Sequence, residues 1–79
     1  MNYIDYIKHT IEDDYDYIEI LREITSPNYT INIKNGHHEV GYGEDDISII
    51  SNKTTVFLKE KDIKGLIIHE KQEEELINE

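Results

Sequence analysis

The dipeptide Asn35-Gly36, with alternating apolar and polar residues on both sides, constrains the fold of this chain most strongly. Asn-Gly favours a two-residue β-turn because both turn positions need a positive φ angle. With such a turn, the flanking residues separate into one apolar and one polar face. The apolar face pairs Ile33 with His38, Ile31 with Val40 and Tyr29 with Tyr42. The sequence therefore predicts an antiparallel hairpin over residues 29–42.

Further short strands are predicted after this hairpin. Residues 47–51 and 54–58 form a second hairpin around Asn52-Lys53, in a register that pairs Ile49 with Val56 and Ile47 with Leu58. Apolar residues on both faces predict that these strands are covered on both sides. Residues 63–69 are predicted to be the last strand. The strand, charged corner and strand from Thr54 to His69 resemble the end of a small SH3-like or Sm-like barrel.

Residues 2–24 have the pattern of an amphipathic helix. Four isoleucines fall within a sector about 60° wide at helical periodicity; they are Ile4, Ile7, Ile11 and Ile18. Asn2 is a suitable N-cap, and Ser26-Pro27 ends the helix because the residue before proline avoids the α region. Asp14 points into the apolar arc, which predicts a kink or restart nearby.

Five carboxylates lie on one line of this predicted helix, within a second sector of about 60°. They are Asp5, Glu12, Asp16, Glu19 and Glu23. One interpretation is an ordinary solvated face. The other is a row of charges that substitutes for nucleic-acid phosphates in a basic groove. Tyr6 and Tyr17, at the border of the apolar stripe, either pack at the edge of the core or anchor a partner.

The resulting prediction is a single α+β domain over residues 1–79. An N-terminal amphipathic helix (residues 2–24) packs on one small antiparallel sheet of four to five strands (residues 29–69), in the manner of an SH3/Sm-like roll. Residues 70–79 form an acidic tail. A chain of 79 residues is near the lower limit that an apolar core stabilises without disulfides.

Charge and composition restrict the cellular context and the class of partner. The formal net charge is −10, so phosphates would be repelled and direct nucleic-acid binding is not expected. The absence of cysteine and of a signal-peptide pattern predicts a cytoplasmic protein, and no apolar run is long enough for a membrane span. Fifteen isoleucines and no alanine indicate an AT-rich genome, such as that of a low-GC bacterium or its phage.

Neither a metal nor a cofactor site is predicted. His37 and His38 are neighbours in a strand and point to opposite faces, so they cannot share a metal. The acids of Glu44-Asp45-Asp46 lack the alternate spacing of a calcium loop. The sequence has no Gly-rich phosphate loop, nucleophile elbow or Cys-His pair, and it therefore predicts a protein that is not an enzyme.

In size, charge and AT-rich composition, the chain resembles small phage-encoded anti-CRISPR and anti-restriction inhibitors. That resemblance implies an inhibitor that mimics nucleic acid and binds the basic groove of a nucleic-acid-binding protein, such as a nuclease, in the host cytoplasm. The predicted partner-binding residues are Asp5, Glu12, Asp16, Glu19, Glu23, Tyr6 and Tyr17. The alternative is a general protein-interaction or homo-oligomeric assembly domain without nucleic-acid mimicry.

Overall fold

The computed structural model describes residues 2–22 and 30–71, which form one α-helix, six strands and one short 3₁₀ helix. In chain order the elements are α1 (Tyr3–Glu12), β1 (Tyr15–Leu21), β2 (Thr30–Lys34), β3 (Glu39–Tyr42), β4 (Asp46–Ile50), β5 (Thr55–Lys59), the 3₁₀ helix Glu60–Asp62 and β6 (Gly65–Glu70). Sheet A has the strand order β2-β1-β6 and sheet B the order β3-β4-β5. All the pairings are antiparallel.

The predicted helix over residues 2–24 is wrong from Asp13 to Arg22, while residues 23–24 and the predicted stop at Ser26-Pro27 lie outside the described residues. The backbone of Asp13 is extended and its N–H donates to the carbonyl of Thr10, which ends α1. The following residues alternate between buried and more exposed side chains, as a strand requires, and they are rich in aromatic and β-branched types. Because β1 pairs along both of its edges, sheet hydrogen bonds replace those that a continued helix would make.

The start of α1 agrees with the sequence. The side-chain oxygen of Asn2 accepts a 2.8 Å hydrogen bond from the N–H of Asp5, which confirms the predicted N-cap. The N–H of Tyr6 reaches the Asn2 carbonyl at 3.2 Å. This local cap satisfies part of the group of donors that every helix leaves unpaired at its first turn.

The predicted hairpin over residues 29–42 is also wrong, although Asn35-Gly36 does lie in a turn. Gly36 has the positive φ (84°) that favours glycine, and the N–H groups of His37 and His38 both donate to the carbonyl of Lys34 at 3.0 Å. The turn leads from sheet A into sheet B, because β2 pairs with β1 and β3 pairs with β4. Tyr29, part of the predicted register, lies outside the described residues.

The predicted hairpin around Asn52-Lys53 is confirmed in its register. Ile47 pairs with Leu58, and Ile49 pairs with Val56. The expectation that both faces are covered is wrong, since Phe57 on the second face is 73% exposed. The last strand begins later than predicted, at Gly65, although the preceding Ile63 is buried.

The predicted fold class therefore needs correction. Instead of one antiparallel sheet of four to five strands in an SH3/Sm-like roll, the described residues form two three-stranded sheets. One helix with two antiparallel sheets remains compatible with an α+β class. Glu70, expected in an acidic tail, belongs to β6, and residues 72–79 lie outside the described part of the chain.

One apolar core lies between the helix and the inner faces of the two sheets. Ten buried side chains form it, namely Ile4, Ile7, Tyr15, Ile18, Ile20, Ile33, Ile47, Ile49, Leu58 and Ile63. Eight of these ten are isoleucine, a stiff β-branched side chain that suits strand positions. Burying each aliphatic side chain contributes about 1.5–3 kcal/mol, so this cluster is the main source of stability.

Glu60 joins the helix to the segment that precedes β6. Its two carboxylate oxygens accept hydrogen bonds, each 2.9 Å long, from the N–H groups of Tyr3 and Ile4. A carboxylate at this position also faces the positive end of the helix dipole. Residues 56 and 57 positions apart in the sequence are thereby held together at the start of α1.

We predict that removing the Glu60 carboxylate destabilises the protein. Glu60→Ala should lower the free energy of unfolding by about 1.5–3 kcal/mol, because it removes two hydrogen bonds to a charged acceptor. Glu60→Gln should cost less, since the amide oxygen can still accept one bond. Glu39→Gln removes an exposed charge on β3 and should leave stability within about 0.5 kcal/mol of the parent. Urea unfolding followed by circular dichroism would decide, and equal midpoints for Glu60→Ala and Glu39→Gln would contradict the capping role.

Candidate functional site

The outer face of sheet A carries a compact group of polar and aromatic side chains. Tyr17 and Glu19 alternate with the buried residues of β1, and Tyr17 is directly opposite His69 of β6. The Tyr17 and His69 rings are stacked, with centroids 3.9 Å apart and planes 10° from parallel. His69 Nε2 lies 2.7 Å from a carboxylate oxygen of Glu19. We call Tyr17, Glu19 and His69 the His69 cluster.

The His69 cluster is partly exposed, and its histidine contacts the other two side chains. The side chains of His69 and Glu19 are 35% and 26% exposed, so water partly screens the contact between them. The carboxylate and the tyrosine ring hold the imidazole in a fixed orientation. The cluster itself contains no serine or cysteine for this histidine to activate.

Next to this cluster, four carboxylates line two adjoining clefts at one end of sheet A. One open cleft is lined by Thr10, Asp13, Asp14, Ile68 and Glu70. A second is lined by Asp16, Tyr17, Ile68, His69, Glu70 and Lys71. Ile68 and Glu70 belong to both clefts, and Ile68 is 39% exposed. We call Asp13, Asp14, Asp16 and Glu70, around Ile68, the acidic end.

Local structure explains why these acids lie at the same end of sheet A. Asp13 and Asp14 fall in the short connection where α1 stops and β1 begins. Tyr15 pairs with Glu70 across the start of β1, and the register shifts by one residue between Tyr15 and Tyr17. This irregularity allows Tyr15 and Ile18, three residues apart, both to be buried, with Asp16 exposed between them. The side-chain amide of Asn35 donates to the Tyr15 carbonyl at 2.8 Å and supports the same corner.

The middle of α1 makes a separate contact with sheet B. Lys8 Nζ lies 5.4 Å from the centre of the Tyr42 ring, within the range of a cation–π interaction. Burial raises the pKa of the Tyr42 phenol, and the nearby negative charge of Glu12 and the Tyr15 phenol raise it further. Burial also raises the pKa of Tyr15. Both phenols therefore favour the neutral form.

The structure separates the residues predicted to form one acidic line. Asp5 and Glu12 lie at opposite ends of α1, while Asp16 and Glu19 lie on β1. Glu23 lies outside the described residues. The prediction of a continuous acidic line along one helix is therefore wrong, because the helix that would align these residues ends at Glu12.

The two predicted tyrosines also have different surroundings. Tyr6 is 49% exposed on α1, and Tyr17 stacks on His69 in sheet A. Of the seven predicted partner-binding residues, the structure brings Asp16, Tyr17 and Glu19 together. Sequence reasoning missed Ile68, His69 and Glu70 as their neighbours, and no local signal could have placed β6 beside β1.

Comparisons with known proteins add no family. No protein-family model, curated protein or solved structure matches the chain significantly. Within residues 2–22 and 30–71, no group of three or more His, Asp or Glu side chains is placed to hold a metal ion. In the same part of the chain, no helix has the length and apolarity to cross a membrane.

We predict that Glu12→Gln lowers the pKa of Tyr42, because it removes a negative charge that opposes phenol ionisation. NMR titration of the protein with ¹³C-labelled tyrosine would measure this pKa. Asp5→Asn, at the other end of the same helix, is the matched control and should leave the Tyr42 curve unchanged. Equal Tyr42 curves for the parent and Glu12→Gln would show that the charge of Glu12 does not act there.

The same raised pKa values predict a loss of stability at alkaline pH. The unfolded phenols ionise near their ordinary pKa of 10.0, before the folded ones. The contribution of Tyr15 and Tyr42 is therefore complete below that pH and is lost as the pH rises through their folded pKa values. Thermal melts through this range should show a smaller loss for Glu12→Gln than for the parent.

Proposed function

We propose that this chain is an acidic protein-interaction domain that binds a basic segment of a partner protein at the acidic end. The observation that supports the proposal is the placement of four carboxylates along two clefts that share the partly exposed Ile68, beside the His69 cluster. The formal net charge of −10 also favours a positively charged partner. No catalytic step is assigned to the chain.

The side chains at the acidic end suit arginine and lysine. Carboxylates accept charge-assisted hydrogen bonds from guanidinium and ammonium groups. Ile68 offers an apolar floor for the aliphatic stem of such a side chain, and the Tyr17 ring offers an aromatic edge or face. Two adjacent clefts that share Ile68 and Glu70 suit two neighbouring basic residues of one segment.

A finer proposal concerns the class of partner. Nucleic-acid-binding proteins present extended basic grooves, and an acidic domain that occupies such a groove acts as an inhibitor by competition. The support for this is the charge of the chain, since the helical ridge that motivated mimicry does not exist. Phage origin and a cytoplasmic location remain predictions from composition.

The proposal predicts that local charge, rather than total charge, controls binding. Asp14→Lys, Asp16→Lys and Glu70→Lys together should weaken binding of a labelled oligo-arginine peptide, measured by fluorescence anisotropy. The control reverses three exposed acids elsewhere, Glu39, Glu44 and Asp45, to lysine. Each reversal adds two charges, so both variants go from −10 to −4. We expect the first variant to lose roughly tenfold more affinity than the control, about 1.4 kcal/mol.

Two further measurements sharpen this test. Binding at the acidic end should weaken as salt rises, because exposed charges are screened. Amide NMR shifts caused by the peptide should map to residues 13–17 and 68–71. Equal loss of affinity in the two triple variants would mean that only the overall field attracts the peptide.

The finer proposal has its own test. If the chain binds a basic DNA-binding domain in its DNA groove, duplex DNA should displace the chain from that domain.

A further inference from the structure

The open edge of β5 is the feature of sheet B that the proposed function does not use. β5 is the last strand in the order β3-β4-β5, and within residues 2–22 and 30–71 no strand pairs with its outer side. An unpaired edge presents a row of backbone donors and acceptors that can pair with another chain. Its centre carries Phe57, which is 73% exposed.

The backbone hydrogen bonds show which residues of β5 face that edge. The N–H of Ser51 donates to the carbonyl of Thr54, and the N–H of Glu60 donates to the carbonyl of Asp45, both at 2.9 Å. In an antiparallel pair, such hydrogen-bonded positions alternate along the strand. The backbone groups of the even-numbered residues therefore face β4. Those of Thr55, Phe57 and Lys59 face outward.

We propose that two copies of this chain form a symmetric dimer by antiparallel pairing of β5 with β5, centred on Phe57. In this register Phe57 lies opposite Phe57 of the partner subunit, and Thr55 lies opposite the partner's Lys59. Each of the three outward-facing residues then exchanges two backbone hydrogen bonds with its counterpart. The two copies of sheet B become one continuous six-stranded sheet.

The register follows from the length of the strand. β5 spans Thr55–Lys59, with Phe57 at its midpoint. Centring the pair on Val56 or Leu58 leaves one outward-facing residue without a counterpart inside the strand. Centring on Phe57 uses all three and places two aromatic rings in a directly opposed cross-strand pair, a favourable arrangement.

The neighbours of Phe57 within its own sheet do not cover its ring. Across the outer face, Phe57 is in register with Ser48, which is in register with Gly41. A Cβ atom at Gly41 would lie 2.7 Å from the Ser48 hydroxyl oxygen, so the close approach favours glycine there. This row is therefore built of small residues, and the ring of a second copy would supply the contact that Phe57 lacks.

The charge distribution favours a second copy as the occupant. Residues 47–59 contain two lysines and no acid, in a chain whose net charge is −10. Pairing through β5 therefore brings no carboxylates of the two strands face to face. The remaining repulsion acts between more distant charges, and salt screens it over a Debye length of about 8 Å at physiological ionic strength. Dimerisation should therefore increase with salt, opposite to the binding of a basic partner.

Single cysteines test the register directly, because the chain contains none of its own. Phe57→Cys places two thiols at opposed positions whose Cα atoms are about 5.5 Å apart, within the range of a disulfide. Thr55→Cys is the matched control, since Thr55 lies opposite the partner's Lys59 and far from the partner's Thr55. Under mild oxidation, Phe57→Cys should give a covalent dimer and Thr55→Cys should remain monomeric. A mixture of Thr55→Cys and Lys59→Cys should give the mixed dimer.

Sedimentation equilibrium of the unaltered full chain tests the assembly itself. We expect reversible dimers whose fraction rises with concentration and with salt. Phe57→Lys should reduce the association constant at least tenfold, whereas Ile67→Lys, an equal charge change on the outer face of sheet A, should leave it unchanged. Circular dichroism should show both variants folded. A parent chain that stays monomeric, forms larger open assemblies or cross-links equally through Thr55→Cys and Phe57→Cys would overturn the proposal.

Discussion

The contact between the Glu60 carboxylate and the first turn of α1 organises this molecule. The same residue uses its backbone N–H to hold the Asp45 carbonyl beside sheet B. A few residues on, Lys64 donates its N–H to the Leu21 carbonyl of sheet A and accepts from the Tyr3 hydroxyl. One short segment therefore joins the helix and both sheets by hydrogen bonds. Its strength comes from an ionised acceptor at a helix N-terminus, where dipole and unpaired donors coincide.

With the inner faces committed to a shared core, the outer faces are free to differ. Sheet A carries charge and aromatic rings at one end, where the Tyr17–His69 stack lies beside Asp16 and Glu70. Sheet B carries almost no acid on β4 and β5, and its most exposed ring is that of Phe57. The proposed binding of a basic partner and the proposed pairing of two copies therefore use separate surfaces, and neither would block the other.

Local signals in the sequence were sufficient where the structure is local. The Asn2 cap and the β4–β5 hairpin each depend on residues within a few positions of one another, and both are confirmed. The pattern after Glu12 predicts a helix because Ile11 and Ile18 are seven residues apart, a spacing that fits two helical turns. Pairing with β2 and β6 decided its conformation. Strand pairing of this kind overrides intrinsic propensity.

The same distinction explains the turn and the site. Gly36 has the positive φ that the predicted turn needs, but Asn35 does not, and a turn does not specify which strand the chain pairs with next. The alternating pattern of β2 and β3 fits pairing with each other, but it fits the observed pairing with β1 and β4 equally well. His69 and Glu19 are separated by 50 residues in sequence, so only the tertiary fold brings their side chains together. The predicted acidic line is absent because Asp5 and Glu12 lie on α1, whereas Asp16 and Glu19 lie on β1.

The central position of β1 in sheet A has a consequence for how the chain acquires its structure. Sheet B can assemble from a contiguous stretch, Glu39 to Lys59, whereas sheet A needs β1 from near the start and β6 from near the end. Closing so long a loop costs entropy before any contact rewards it. We therefore expect the β6 edge of β1 to stay unpaired during synthesis until residues 65–70 have left the ribosome. In refolding experiments, sheet B should gain amide protection before the Tyr17–His69 stack forms.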